Sequence, residues 1–383
     1  MTDKTIPLFK VAMSDSAAAA AADVLTSGYI GQGPKVEEFE ADLRRYFDHD
    51  HVVTVNSATS GLHLALRLAE GRVRDTWEYN GDIEVLTTAL TCTATNWPIL
   101  ANGMGIKWVD VDPNTFNLDL DDLERKLSPS TRIIILVHWG GYPVNLDRVA
   151  QIQEKARELY GFTPIVIQDC AHAFGSTYKG QEVGTVGVAS VGVYSFQAIK
   201  HMTSVDGGAM VLPSYMYSDA KLLRWYGIDR ESNTKDFRCE ADVENWGYKF
   251  HMNDVNAAVG IENLKASGPI VDAHKANGAF FNSQLQGVDG VTLLENCPDY
   301  DSAYWIYSMK VEDQAGFMRA MADRGIAVSR VHERNDKHTT VKDFITPLPA
   351  LDKLIKQMIC IPCGWWVDRN DREYIVDAIK GGW

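Results

Sequence analysis

The amino-acid sequence predicts an α/β protein: a mostly parallel sheet flanked by helices, followed by a smaller α/β unit. Three observations carry this. Residues 132–137 are continuously apolar after Arg132, as a strand buried on both faces requires. Strand-like runs alternate with segments whose apolar residues recur at helical spacing, which is the pattern of βα units. After about residue 254 that alternation gives way to two long helical stretches and then mixed short elements. The expected division is therefore 1–254 and 255–383.

The elements follow in order. Five alanines at 18–22 read as helix filler between Ser14 and Leu25. Val36, Phe39, Leu43 and Tyr46 share one face of an amphipathic helix. Residues 51–55 read as a strand, 62–68 as a helix, and 84–88 and 107–111 as short strands. After the 132–137 strand, Val149, Ile152, Ala156 and Leu159 line a helix that Asn145 caps. Residues 165–169, 190–194 and 209–212 are further strands. Beyond the boundary, 255–264 and 273–285 are helical, and 304–311, 317–324, 327–332 and 372–379 are mixed strands and helices.

Composition excludes several classes. The net charge is −14 and basic residues are scattered, which argues against a nucleic-acid partner. Anionic small ligands stay open, because a local basic pocket can sit on an acidic protein. No apolar run approaches a membrane span. The first ten residues lack an apolar core followed by a small-residue cleavage site, which argues against a signal peptide. Six dispersed cysteines fit a reducing, cytoplasmic setting. Cys360-Ile361-Pro362-Cys363 has no second pair, so it reads as two cysteines in an extended segment, and no metal site is expected.

In an open parallel sheet, ligands gather beyond the C-terminal ends of the strands. Four groups fall at such ends. Asn56 to Gly61 is a small, polar turn opening a helix, a potential phosphate cradle or a simple cap. Asp169 ends one strand and is followed by Cys170, Ala171 and His172. Ser195 and Lys200 follow another strand, ahead of the Gly207-Gly208 pair. His138 to Tyr142 ends the 132–137 strand, and its paired glycines suit either close approach to a ligand or a structural turn. A lysine after one strand and an aspartate ending another are what pyridoxal 5′-phosphate (PLP) needs. The amine forms the Schiff base and the carboxylate pairs with the protonated ring nitrogen. Each residue alone also has a bland reading, as a solvated lysine, a capping aspartate or a structural histidine.

Taken together and in order, these segments resemble the DegT/StrS family of PLP-dependent nucleotide-sugar aminotransferases, its perosamine-synthase-like members in particular. The likeness rests on Gly28 to Glu40, Asp110-Val111-Asp112, Val137-His138, Asp169 to Gly175, and Ser195 through Gly208, over most of the chain. It implies a type I PLP-dependent transferase fold and a homodimer with active sites at the subunit interface. It also implies catalytic roles for Lys200 and Asp169. Ala58, Thr59 and Ser195 would hold the phosphate, and His172 would contact the ring. Two departures stand out. The family often stacks an aromatic residue on the cofactor where this chain has Cys92 after Thr91. Its Gly-Tyr-Asn-Tyr-Arg-Met segment is Gly247-Tyr248-Lys249-Phe250-His251-Met252 here, so that Lys249 would replace asparagine at the partner's phosphate. Tyr29, His332, Arg334 and His338 are the expected substrate contacts, since an anionic sugar nucleotide needs local positive charge. The resemblance implies transamination of a nucleotide-linked keto-sugar, an NDP-4-keto-6-deoxyhexose, with glutamate as donor. A 3-keto sugar, a PLP-dependent sugar dehydratase of the same family, and a non-catalytic cofactor- or sugar-binding regulator are the alternatives.

Overall fold

The computed structural model describes residues 5–230, 236–240 and 242–383. Residues 1–4, part of the N-terminal stretch read above for a leader, lie outside them. In chain order the strands are β1 (Val52–Val55), β2 (Glu84–Thr88), β3 (Gly105–Val109), β4 (Thr131–Val137), β5 (Ile165–Asp169), the two-residue β6 (Thr177–Tyr178) and β7 (Gln181–Glu182), β8 (Ser190–Ser195), β9 (Gly208–Val211), β10 (Val291–Leu293), β11 (Tyr300–Asp301), β12 (Tyr307–Val311) and β13 (Met358–Ile361).

Seven of these form the central sheet in the order β1-β9-β8-β5-β4-β2-β3. Only β9 runs antiparallel to its neighbours, so the sheet is mostly parallel, as predicted. The period of two along each strand divides its residues between two cores. Ile133 and Ile135 pack with Leu62 and Leu64 of helix Ala58–Trp77. Ile134 and Leu136 pack with Val149 and Ile152 of helix Leu146–Tyr160. Both faces of β4 are thus covered, which is why it reads as an unbroken apolar run. Asn145 caps the second helix as expected, its side chain accepting the N–H of Arg148.

A second sheet, β10-β12-β13, has its own core of Phe281, Tyr307, Met309, Phe317, Ile359 and Ile375. Helix Asp254–Lys265 packs on helices Ala17–Ser27 and Pro34–Phe47. Its Asp254 carboxylate accepts the N–H groups of Gly33 at 2.7 Å and Val36 at 3.1 Å, supplying an N-terminal cap from a distant part of the chain.

Several sequence expectations need correction. The helix expected at 62–68 runs over Ala58–Trp77. The strand expected at 107–111 lies at Gly105–Val109 because Asp110 turns the chain, its carboxylate accepting N–H groups of Val111, Ala350 and Leu351 at 2.8–2.9 Å. Helix Thr93–Ala101 was not foreseen, since its threonines and Pro98 mask any helical signal. Residues 327–332 form no regular element; Ser329 makes one bridge to Cys360, and Val331 has φ 67°. Cys360 lies in β13, and both thiols of the C-x-x-C are buried and unpaired with each other.

Strand β8, which carries the Lys200 turn, lies so close to the 184 loop that only glycine fits at 192. A Cβ there would lie 2.3 Å from the Gly184 carbonyl oxygen. Gly192→Ala should therefore destabilise the protein by about 1–3 kcal/mol, as overpacking does. Urea unfolding measures this, and an unchanged midpoint would contradict the packing described.

Candidate active site

The C-terminal ends of β5 and β8 and the turns after β1 and β2 surround a cavity of about 440 Å³. Each wall follows from local sequence. After β1, the Asn56 N–H is held by the Phe250 carbonyl at 2.7 Å. Ser57 then caps helix Ala58–Trp77, its hydroxyl accepting the N–H of Ser60 at 3.1 Å. The amides of Ala58 and Thr59 fall in the first turn, where a helix offers no internal acceptor. Both residues line the cavity, as does Ser195 at the end of β8. Gly208 lets β9 pass so near that an added Cβ would lie 2.8 Å from the Ala58 nitrogen. Free amides at a helix N-terminus beside a serine hydroxyl suit a phosphate.

Asp169 closes β5 with its carboxylate buried. Its Oδ2 accepts from Thr95 Oγ1 at 2.7 Å and its Oδ1 from the Ala171 N–H at 3.0 Å. Thr95 Oγ1 also meets Thr91 Oγ1 at 2.8 Å. Burial raises the carboxyl's pKa, while the Thr95 and Ala171 bonds and the Lys200 charge oppose that rise. Lys200 lines the same cavity. Burial pushes its amine down to about 8, against the pull of Asp169 and Cys92. Near neutral pH this amine therefore gives up its proton far more readily than an exposed lysine does.

Rings fill the remaining wall. His172 stacks on Trp305 with centroids 3.9 Å apart and lies nearly parallel to the His332 ring, stacked at 5.6 Å. Burial holds both histidines neutral, with His332 pushed down to about 4. His332 Nε2 is buried and meets no partner among the described residues. Cys92 lines the cavity as the residue before helix Thr93–Ala101, where its small thiol leaves space.

Eight of the residues singled out from sequence thus meet in one cavity: Ala58, Thr59, Cys92, Asp169, His172, Ser195, Lys200 and His332. Four do not. Tyr29 is 81% exposed. Lys249 is exposed, its backbone bridged to Trp225. Arg334 is committed to carboxylates, with Nε and Nη2 donating to Asp336 at 2.7 and 2.6 Å and Nη1 paired with Asp352. His338 packs edge-on against Trp97 at 5.8 Å. The 332–338 segment is anchored instead by Asn335, fully buried. Its side chain donates to the Thr91 carbonyl at 2.8 Å and accepts from Asn96 at 2.8 Å.

His138 proves structural. Its Nδ1 accepts the Val144 N–H and its Nε2–H donates to Gln168, both at 3.0 Å. Thr95, Trp305 and Phe9 line the cavity without having been foreseen. A threonine one turn into a helix that follows a strand end could have flagged Thr95. Nothing local marks Trp305 or Phe9.

The donor set fits PLP. A buried carboxylate suits the ring nitrogen, a lysine amine of lowered basicity suits covalent attachment, and a helix N-terminus suits the phosphate. His332 Nε2 remains free to meet a polar group. Thr95→Val should weaken PLP binding by about tenfold or more, because a hydrogen bond to a charged group contributes roughly 1.5–3 kcal/mol. Equilibrium dialysis measures this; unaltered affinity would separate Thr95 from cofactor binding.

Comparison with known proteins agrees with that chemistry. Residues 12–380 match the DegT/DnrJ/EryC1/StrS aminotransferase family. The crystal structure of AtS13 from Actinomadura melliaura is 47% identical and covers 100% of both chains with a TM-score of 0.94. The sugar aminotransferase CalS13 from Micromonospora echinospora is 45% identical, covering 99% of this chain and 100% of its own, with a TM-score of 0.93. The PLP-form of the putative sugar aminotransferase Spr1654 from Streptococcus pneumoniae is 25% identical, covering 99% and 98%, with a TM-score of 0.88. The chain belongs to the DegT/DnrJ/EryC1/StrS aminotransferase family, and it is a PLP-dependent aminotransferase of the type I fold.

Proposed function

We propose that this enzyme moves the amino group of glutamate onto a nucleotide-linked keto-sugar, an NDP-4-keto-6-deoxyhexose, to make an amino sugar. The observation that carries this reading is that Lys200 and Asp169 line one cavity, with a phosphate-suited turn on the same wall. Similarity to sugar aminotransferases supports the substrate class.

Ala58, Thr59 and Ser195 would hold the cofactor's phosphate, Asp169 would pair with its ring nitrogen, and Lys200 would attach it covalently. Bound there, PLP supplies the electron sink that lets nitrogen pass from donor to acceptor. Lys200 Nζ, once free, takes the donor's α-proton as a base and returns a proton as an acid. Its lowered basicity matches both tasks. Thr95 keeps the Asp169 carboxylate oriented and favours its ionised form. His332 Nε2 meets a hydroxyl or carbonyl of the sugar.

The exposed Lys249 and Tyr29 belong to this reading through a second copy of the chain. In a homodimer, Lys249 reaches the partner's phosphate and Tyr29 the partner's substrate. Arg334 acts by fixing the segment that carries His332, and His338 lies at its rim. Residues 1–254 form the cofactor-holding unit and 255–383 the smaller one, tied together by helix Asp254–Lys265. The working location is the cytoplasm; among the described residues no helix is long and apolar enough to cross a membrane.

The visible spectrum of the purified protein with PLP tests the first half of this chemistry. Glutamate should convert the cofactor's absorbance to that of pyridoxamine phosphate, and a band indifferent to glutamate would exclude it as donor. Lys200→Ala should still bind PLP non-covalently but lose multiple turnover. Full activity in that variant would remove Lys200 from the mechanism.

A further inference from the structure

The amine of a transaminase lysine is bonded to the cofactor for only part of each cycle. In the rest it is a free amine that becomes a cation once it has taken up a proton, inside a largely apolar cavity, and such a charge needs a partner. Asp169 attracts it but is already engaged with Thr95 and Ala171. His172, His201 and His332 also face Lys200, and burial keeps all three neutral. Cys92 is a further titratable neighbour, and Asp206 lines the same cavity.

The structure places one further group against the amine. Lys200 Nζ lies over the indole of Trp305, 3.9 Å from the ring centroid. That indole is 2% exposed and is stacked by Phe9 at 4.8 Å as well as by His172. Its orientation is fixed from both sides of the lysine. Trp305 Nε1–H donates to the Ile199 carbonyl at 2.9 Å, and His201 Nε2–H donates to the Ala303 carbonyl at 2.9 Å. His274 Nδ1–H holds the Tyr304 carbonyl at 2.8 Å, and Ser176 Oγ accepts the Ala303 N–H at 3.0 Å. The neighbours of Lys200 on each side are thus bonded to the segment that presents the ring.

We propose that Trp305 is a positioning residue for Lys200, its indole face receiving the Lys200 ammonium whenever that amine carries no bond to the cofactor. The attraction is between a cation and the negative face of the ring, and it strengthens in a desolvated site. It stabilises the charged amine against burial, and so keeps Lys200 able to act as an acid after it has acted as a base. This rests on Lys200 being the cofactor's amine.

The test replaces Trp305 with a series of increasingly fluorinated tryptophans, which weaken the ring's negative face while preserving its shape and N–H. The full-length protein is loaded with pyridoxamine phosphate, in which Lys200 is unbonded. Competitive labelling with acetic anhydride across pH 6–10, read by mass spectrometry of the Lys200 peptide, gives the amine's titration midpoint. The midpoint should fall stepwise with fluorination, by about half a pH unit over the series. A midpoint that stays constant or rises would overturn the proposal. Borohydride reduction of the PLP-loaded protein separately identifies the cofactor-bonded lysine. Marking of another lysine would defeat the site reading itself, whereas a flat series with Lys200 marked defeats only the role of Trp305.

Discussion

A carboxylate and an amine held together away from water are what the rest of this structure serves. Asp169 and Lys200 are each shifted toward neutrality by burial, and each opposes that shift in the other. Such an arrangement is expensive unless every remaining lone pair and proton has a partner. Thr95 and the Ala171 amide serve the carboxylate. The Trp305 face lies against the amine. Parallel strands β5 and β8 bring the two groups to one end of the sheet, because every such strand delivers its C-terminal residue to the same edge.

The C-terminal part of the chain is coupled to that centre by buried polar groups as well as by apolar packing. Asn335 meets Asn96 and the Thr91 carbonyl, and Asn96 meets Thr87. Asp110, at the end of β3, accepts the first amides of helix Pro349–Leu354. Partly unmade networks of this kind are costly, so they specify one docking position more sharply than apolar contact does. Asn335 in this way anchors the segment that carries His332, while Trp305 is held at the cavity by its own bond to the Ile199 carbonyl.

The elements with regular periodicity were legible in the sequence. β2 and β5 lie where they were expected, and β4 and β8 differ by one residue, because burial on both faces imposes a long apolar run with sharp ends. Helix Thr93–Ala101 was not legible, since tertiary contacts outweigh the poor propensity of its threonines and Pro98. That miss concealed Thr95. Among the polar residues of 332–338, composition could not tell a ligand contact from a structural ion pair. Arg334 turned out to be bound to Asp336 and Asp352, while His332 kept a free nitrogen.

By itself the sequence determined the fold class, the family and the chemical identities of the central pair, because these depend on the order of strand ends and the residues that follow them. Tertiary structure alone decided which groups surround that pair. Thr95, Trp305, Phe9 and Asn335 come from four separate parts of the chain and carry no shared local pattern. Their roles depend on distances of 2.7–4.8 Å that exist only once the sheet, the 93–101 helix and the C-terminal segments have packed together.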